Sequence, residues 1–146
     1  MNKENEAVES IIVQDFNCNP IDLLKIYEGK AILAIIYNNQ CLGCTGRAIP
    51  LAHQLQKENE AVQVVGIHTN FTNAKVTESE IKSIFTIDEL PFPIFLDEDH
   101  SVYDQFESDG TPQWILITKD GILSRSIFGS QENAQNRLFY ALQQLD

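Results

Sequence analysis

The sequence predicts an α/β fold, one domain on a central mixed β-sheet with helices on both faces. Three observations predict it. Strand-like and helix-like patterns alternate through most of the chain, which calls for crossover connections that lay helices over the sheet. Ala31–Tyr37 is short and apolar throughout, as a central strand covered on both faces must be. Two further strand-like runs, Gln113–Thr118 and Ile122–Phe128, are joined by Lys119-Asp120-Gly121, a hairpin signal that adds an antiparallel pair.

In chain order, Met1–Ser10 has almost no apolar content and is expected to be a flexible tail, leaving residues 11–146 as the domain. Ile11–Phe16 reads as a short edge strand, and Cys18 sits in the turn-like Asn17-Cys18-Asn19-Pro20 as a bystander thiol. Ile21, Leu24 and Tyr27 have helical spacing and stop at Gly29. After the apolar strand, Ala48, Leu51, Ala52 and Leu55 mark one helix face, with His53 on the opposite, solvent side and Pro50 expected to kink the helix. Ala61–His68 is a second strand and 70–76 a polar loop. Thr77-Glu-Ser-Glu80 matches a capping box and opens a helix carrying Ile81, Ile84 and Phe85. Leu90-Pro91-Phe92-Pro93 breaks it, and Ile94–Leu96 begins a third strand. Val102, Tyr103 and Phe106 form a brief helical stripe that ends at Asp109-Gly110-Thr111-Pro112. After the hairpin, a last helix turns Ala134, Leu138, Ala141, Leu142 and Leu145 inward. About five strands are expected.

The bulk properties exclude several functions. At 146 residues and 43% hydrophobic, the chain is long enough for a proper core. A net charge of -11 argues against nucleic acid or an anionic membrane as partner, because both need a basic patch. No apolar run approaches the ~18–20 residues of a membrane span. The acidic, polar start shows no signal peptide, so a full-length chain is expected in the cytoplasm. A chain trimmed of its signal would belong to the periplasm or another extracytoplasmic space. Three cysteines, an odd count, do not suit a disulfide-stapled scaffold.

The chemistry concentrates at Cys41-Leu42-Gly43-Cys44, between the apolar strand and the helix. A thiol is a weak nucleophile until it ionises. The free N–H groups and dipole of a helix N-terminus favour the thiolate, lowering a pKa of about 8.5 into the range ~3.5–7.5. Projected at about 100° per residue, Cys44 falls in the inward stripe and Cys41 at the helix entry. Cys41 is therefore expected to attack and Cys44 to resolve, as a shielded second thiol one turn below. Half a zinc site has the same spacing. A structural zinc site normally needs four ligands, and beyond this pair only Cys18, His53, His68 and His100 remain. A dithiol redox pair with no metal and no cofactor is the leading reading, with a metal site or two inert cysteines as alternatives.

A series of motifs in a set order extends this reading. Gly29-Lys30 precedes the apolar strand, then come Cys41-Leu-Gly-Cys44, Phe92-Pro-Ile-Phe-Leu-Asp97, Gly110-Thr-Pro112 before a strand, and Lys119-Asp-Gly121 in the hairpin. From Ile11 onward the chain resembles thioredoxin-like proteins, and among them the TlpA/ResA-type thiol-disulfide oxidoreductases of the redoxin superfamily. The resemblance implies Cys41 as the attacking and Cys44 as the resolving cysteine. It implies that Thr111-Pro112 is a cis-proline loop facing the dithiol, with backbone that pairs with substrate like a short added strand. It also implies an extra helix between the second strand and Phe92. Several residues depart from the pattern. Gln40 replaces the usual Trp, Leu42-Gly43 replaces a proline-containing dipeptide, and Pro50 comes one residue late. Ile35 stands where thioredoxin buries an acid, and Phe71 lies near the place of a ResA glutamate. With those carboxylates missing, His68 is the candidate proton acceptor for Cys44, beside its plain reading as a core-edge histidine.

The expected function is thiol-disulfide exchange, reducing disulfide-containing protein substrates with electrons from a thiol donor, in a monomer. One alternative is a peroxiredoxin-like peroxidase with Cys44 as the peroxidatic thiol. That suits Cys44-Thr45 at a helix start, although Cys41 stands where a Thr or Ser is usual. The other is a non-catalytic module, a thioredoxin-fold adaptor or a copper carrier that uses the two thiolates and a histidine.

Overall fold

The computed structural model describes residues 2–85 and 90–145. One mixed sheet of seven strands runs through them in the order β2-β1-β5-β4-β3-β6-β7. The strands are β1 Ile12–Gln14, β2 Pro20–Asp22, β3 Ala31–Tyr37, β4 Val62–Thr69, β5 Ile94–Asp97, β6 Gln113–Ile117 and β7 Leu123–Phe128. β3, β4 and β5 are parallel, while β6, β7, β1 and β2 join antiparallel. The helices are α1 Leu23–Ile26, α2 Ile49–Glu58, α3 Glu78–Lys82, α4 Ser101–Gln105 and α5 Glu132–Gln143.

The central strands are apolar because both faces are covered. Leu33, Ile35 and Tyr37 of β3 point into a core shared with α2, α3 and α5. Ile32, Ala34 and Ile36 point the other way, into a core with Leu23 of α1 and with Val102 and Phe106 beside α4. The alternation of side chains along a strand thus divides one short run between two cores. In α5, Ala134, Leu138 and Ala141 are buried, and Leu142 and Leu145 pack partly buried against the same core.

Several elements differ from the sequence reading. Seven strands replace about five. The strand expected at the edge, β1, lies inside the sheet, because Pro20–Asp22 pairs with it as a further strand and becomes the edge. The helix expected over 21–27 shrinks to four residues. Asp22 caps it by accepting the Leu24 N–H at 3.1 Å, and the same oxygen accepts the Ile11 N–H at 3.1 Å. Thr77 caps α3 as read by accepting the Glu80 N–H at 3.1 Å, but its hydroxyl rather than its N–H meets the Glu80 carboxylate (3.2 Å), and α3 ends at Lys82. The rest of the extra helix implied before Phe92 would cross 86–89, outside the described residues.

The segment 2–10, read from its composition as a flexible tail, lies along the hairpin. The Asn5 N–H bonds the Leu123 carbonyl (2.7 Å), the Leu123 N–H bonds the Glu6 carbonyl (2.9 Å), and the Val8 N–H bonds the Gly121 carbonyl (2.9 Å). The Glu4 carboxylate accepts the Ser126 N–H at 2.7 Å, and Val8 is buried. Its polar composition is that of a strap held by backbone groups on the open edge of β7.

Candidate functional site

The site is assembled where β3 ends. Asn38 turns the chain by an Asx turn: its Oδ1 accepts the Gln40 N–H at 2.8 Å, and its Nδ2 donates to the Thr69 carbonyl of β4 at 2.8 Å. The Asn38 carbonyl accepts the Cys41 N–H (3.0 Å), and the Cys41 carbonyl accepts the N–H groups of Cys44 and Thr45 (both 3.1 Å). Cys41 is therefore the residue at which the helical segment opens.

The first part of that helix is π-helical, over Cys44–Ala48, with the Ile49 N–H bonded to the Cys44 carbonyl. The kink expected at Pro50 takes this form. Proline has no N–H to give the Gly46 carbonyl and its ring crowds that carbonyl, so the turn before it widens by one residue. Cys44 stays on the inward stripe and is fully buried, while Cys41 is half-buried. His53 is half-buried on α2.

The two thiols are free and touch through the backbone. The Cys44 N–H reaches Cys41 Sγ at 3.2 Å, and the Cys41 thiol donates to the Thr111 carbonyl at 3.4 Å. The Thr111–Pro112 peptide is cis. That loop is anchored by the Gly129 N–H on the Pro112 carbonyl and by Trp114 Nε1 on the Gly129 carbonyl, both at 2.9 Å. The sheet thus brings together Cys41, Cys44, Thr111 and Pro112 from two distant stretches of chain.

The environment separates the two sulfurs. Partial burial pushes the Cys41 thiol up. Hydrogen bonds from the Cys44 and Thr111 side chains and from the N–H groups of Cys44 and Gly43 outweigh it and hold it below the ordinary thiol value. Cys44 is pushed up to about 12, first by burial and then by its hydrogen bond to Cys41, against the Asn38 N–H that faces its sulfur. Tyr37, whose hydroxyl is buried without a partner among the described residues, is pushed up by burial and by the Cys44 charge.

His68 lies near the end of β4, where the sequence placed it. It is beside Tyr37 across the β3–β4 pair, ring centroids 5.3 Å apart, and only 4% exposed. Its Nε2 accepts the Asn39 N–H at 3.2 Å, so the neutral ring carries its proton on Nδ1 and has no free lone pair for the Cys44 proton. Ile35 is fully buried in the same core as Cys44, leaving no acid on that strand. Phe71 packs edge-on against Tyr103, centroids 5.0 Å apart, and beside His100. Cys18 is half-buried with its thiol 3.6 Å from a Glu98 oxygen. Among the described residues, no group of three or more His, Cys, Asp or Glu is placed to hold a metal ion. No helix there is long and apolar enough to cross a membrane. Asn38 and Asn39, which tie the loop down, were not singled out in the sequence. The pair of Asx residues directly after a strand was the signal that could have found them.

This geometry has relatives. Solved structures similar to the chain include the exposed lipoprotein thioredoxin Etrx1 of Streptococcus pneumoniae (TM-score 0.72, 17% identity, 93% of this chain and 99% of that one). Another is a protein from Chlorobium tepidum described as thiol:disulfide interchange protein DsbE (TM-score 0.76, 14% identity, 97% and 99%). At these identities they establish the thioredoxin-like fold. NHL repeat-containing protein 2 of Gallus gallus is 26% identical over 124 residues, 82% of this chain. The chain spans only 16% of the length of that relative. The family model described as AhpC/TSA matches residues 5–126, from the N-terminal strap through the dithiol and the cis-proline loop into β7, and the chain belongs to the AhpC/TSA family of redoxins.

Proposed function

We propose that the protein is a thiol-disulfide oxidoreductase that reduces disulfides of protein substrates through Cys41 and Cys44. The observation that carries this reading is the contrast between two adjacent thiols. Cys41 is partly exposed and held below the ordinary thiol value, and Cys44 is buried and pushed up to about 12. The Cys41 thiolate attacks one substrate sulfur, the substrate S–S bond breaks, and a mixed disulfide forms as the other substrate sulfur leaves as thiolate. That departing thiolate takes the Cys44 proton. Cys44 then attacks Cys41 Sγ, releasing the second substrate sulfur and leaving the Cys41–Cys44 disulfide, two electrons having passed to the substrate. A thiol donor returns those electrons. The backbone at Thr111, 3.4 Å from Cys41 Sγ, is where an extended substrate segment adds beside the dithiol. An extracytoplasmic setting suits substrates of this class, since disulfides persist there.

The burial of Cys44 favours this reading over a peroxidase, which needs its peroxidatic thiol ionised and open to peroxide. Insulin reduction in the presence of excess dithiol tests it. The protein should accelerate precipitation of the insulin B chain, and Cys41→Ser should abolish the acceleration. No acceleration over the dithiol alone, together with peroxide consumption that survives Cys41→Ser, would overturn the proposal.

A further inference from the structure

We infer that His68 is a positioning residue for the dithiol, acting through the Asn39 N–H that its Nε2 accepts. The inference rests on the dithiol reading above and adds a residue that touches neither sulfur.

The loop over residues 38–40 is the only backbone between β3 and the cysteines, and both sulfurs depend on where it lies. Its Asn38 carbonyl holds the Cys41 N–H at 3.0 Å, and the Cys41 carbonyl in turn holds the Cys44 N–H at 3.1 Å. Three bonds fix it to the rest of the fold. Asn38 Nδ2 reaches the Thr69 carbonyl and Asn39 Nδ2 reaches the Glu80 carbonyl of α3, both at 2.8 Å. The third is the Asn39 N–H on His68 Nε2 at 3.2 Å. The first two use carbonyls, which accept at any pH. The third uses a ring nitrogen, which accepts only while the ring is neutral.

The surroundings keep it neutral. The ring faces Tyr37 on β3, Glu80 on α3 and the apolar Leu96 paired with it on β5. Burial disfavours the imidazolium and outweighs the opposing charge of Glu80. When the ring does protonate, Nε2–H and the Asn39 N–H become two donors facing each other. The loop then has to move, and the Asn38 carbonyl that seats Cys41 moves with it. Cys41 reactivity should therefore carry an acid-side step of its own, beyond the ionisation of the thiol.

The test is the rate of Cys41 alkylation by iodoacetamide from about pH 4.5 to 8.5, in wild type, His68→Gln and His68→Leu. Glutamine places an oxygen acceptor near the position of Nε2 and does not titrate; leucine removes the acceptor. His68→Leu should alkylate roughly two- to tenfold more slowly near neutral pH, and His68→Gln should stay within about twofold of wild type while losing the extra acid-side step. In the wild-type protein the Asn39 amide resonance should shift with the His68 ring titration, a readout that needs no variant. Glutamine and leucine variants that behave alike, a wild-type profile that fits one thiol ionisation, or an Asn39 amide indifferent to the ring would each overturn the inference. Alkylation needs no disulfide substrate, so the two readings can fail separately. Insulin reduction without these signatures overturns the role of His68 alone. The signatures without insulin reduction overturn the proposed function and leave His68 in its role.

Discussion

The sharpest consequence of the site is the difference in reactivity between two cysteines three residues apart. Suppose the reduced protein is treated with iodoacetamide at pH 7 and the labelled peptides are mapped over time. Only the thiolate reacts. A thiol at the ordinary value of about 8.5 is roughly 3% ionised at that pH, and the hydrogen bonds to its sulfur shift Cys41 downward from its ordinary value. Cys44, pushed up to about 12, is ionised to about one part in 10⁵. Ionisation alone then separates an ordinary thiol from Cys44 by about 3,000-fold, and the downward shift of Cys41 acts in the same direction. The more basic thiolate is intrinsically the better nucleophile, with a Brønsted slope of about 0.4–0.5, which returns some 40-fold to Cys44. Cys41 should still label about a hundredfold faster, and the burial of Cys44 widens the gap further. Equal rates, or faster labelling at Cys44, would refute the assignment of attacking and resolving thiols and favour Cys44 as a peroxidatic cysteine.

Three further outcomes follow from named contacts. Cys44→Ser should accumulate a covalent mixed disulfide between Cys41 and a disulfide substrate, visible on a non-reducing gel and released by dithiol; a variant that turns over normally would show that Cys44 does not resolve. Asp97 is buried and accepts the N–H groups of Val102 and Tyr103 at 3.0 Å and the Thr69 hydroxyl at 3.1 Å. Asp97→Asn offers one acceptor oxygen in place of two and should lower stability by about 1–3 kcal/mol in urea unfolding; an unchanged midpoint would mean these bonds do not hold α4. His68 is a base whose folded value lies below its ordinary one, so between the two values the unfolded chain holds more protons. Stability should accordingly fall as pH falls from about 6.5 through the folded value. His68→Gln should flatten that limb of the urea midpoint plotted against pH, and parallel curves for the two proteins would contradict it.

The sequence by itself determined the features that are written in neighbouring residues. A short apolar run with no polar interruption, too short for a buried helix and followed by turn residues, fits a strand between two cores, so β3 and the alternating order around it were legible. The helix stripe Ala48, Leu51, Ala52 and Leu55, projected backwards, was enough to bury Cys44 and leave Cys41 at the entry. Lys119-Asp120-Gly121 announced the hairpin, where Gly121 takes the φ of +83° that a glycine supplies readily.

Only the tertiary structure decided the rest, because it depends on partners distant in the chain. The strap over 2–10 and strand β2 have weak local patterns and exist through hydrogen bonds to β7 and β1, which composition does not register. The π-helical turn was visible as Pro50 but not as a shape, since proline removes a donor without saying how the helix will absorb the loss. His68 was visible as a titratable residue at the end of a strand, yet its lone pair was already engaged by Asn39, 29 residues earlier. Pattern along the chain says which side chains face inward; which nitrogen meets which N–H is settled only when β3 and β4 lie side by side.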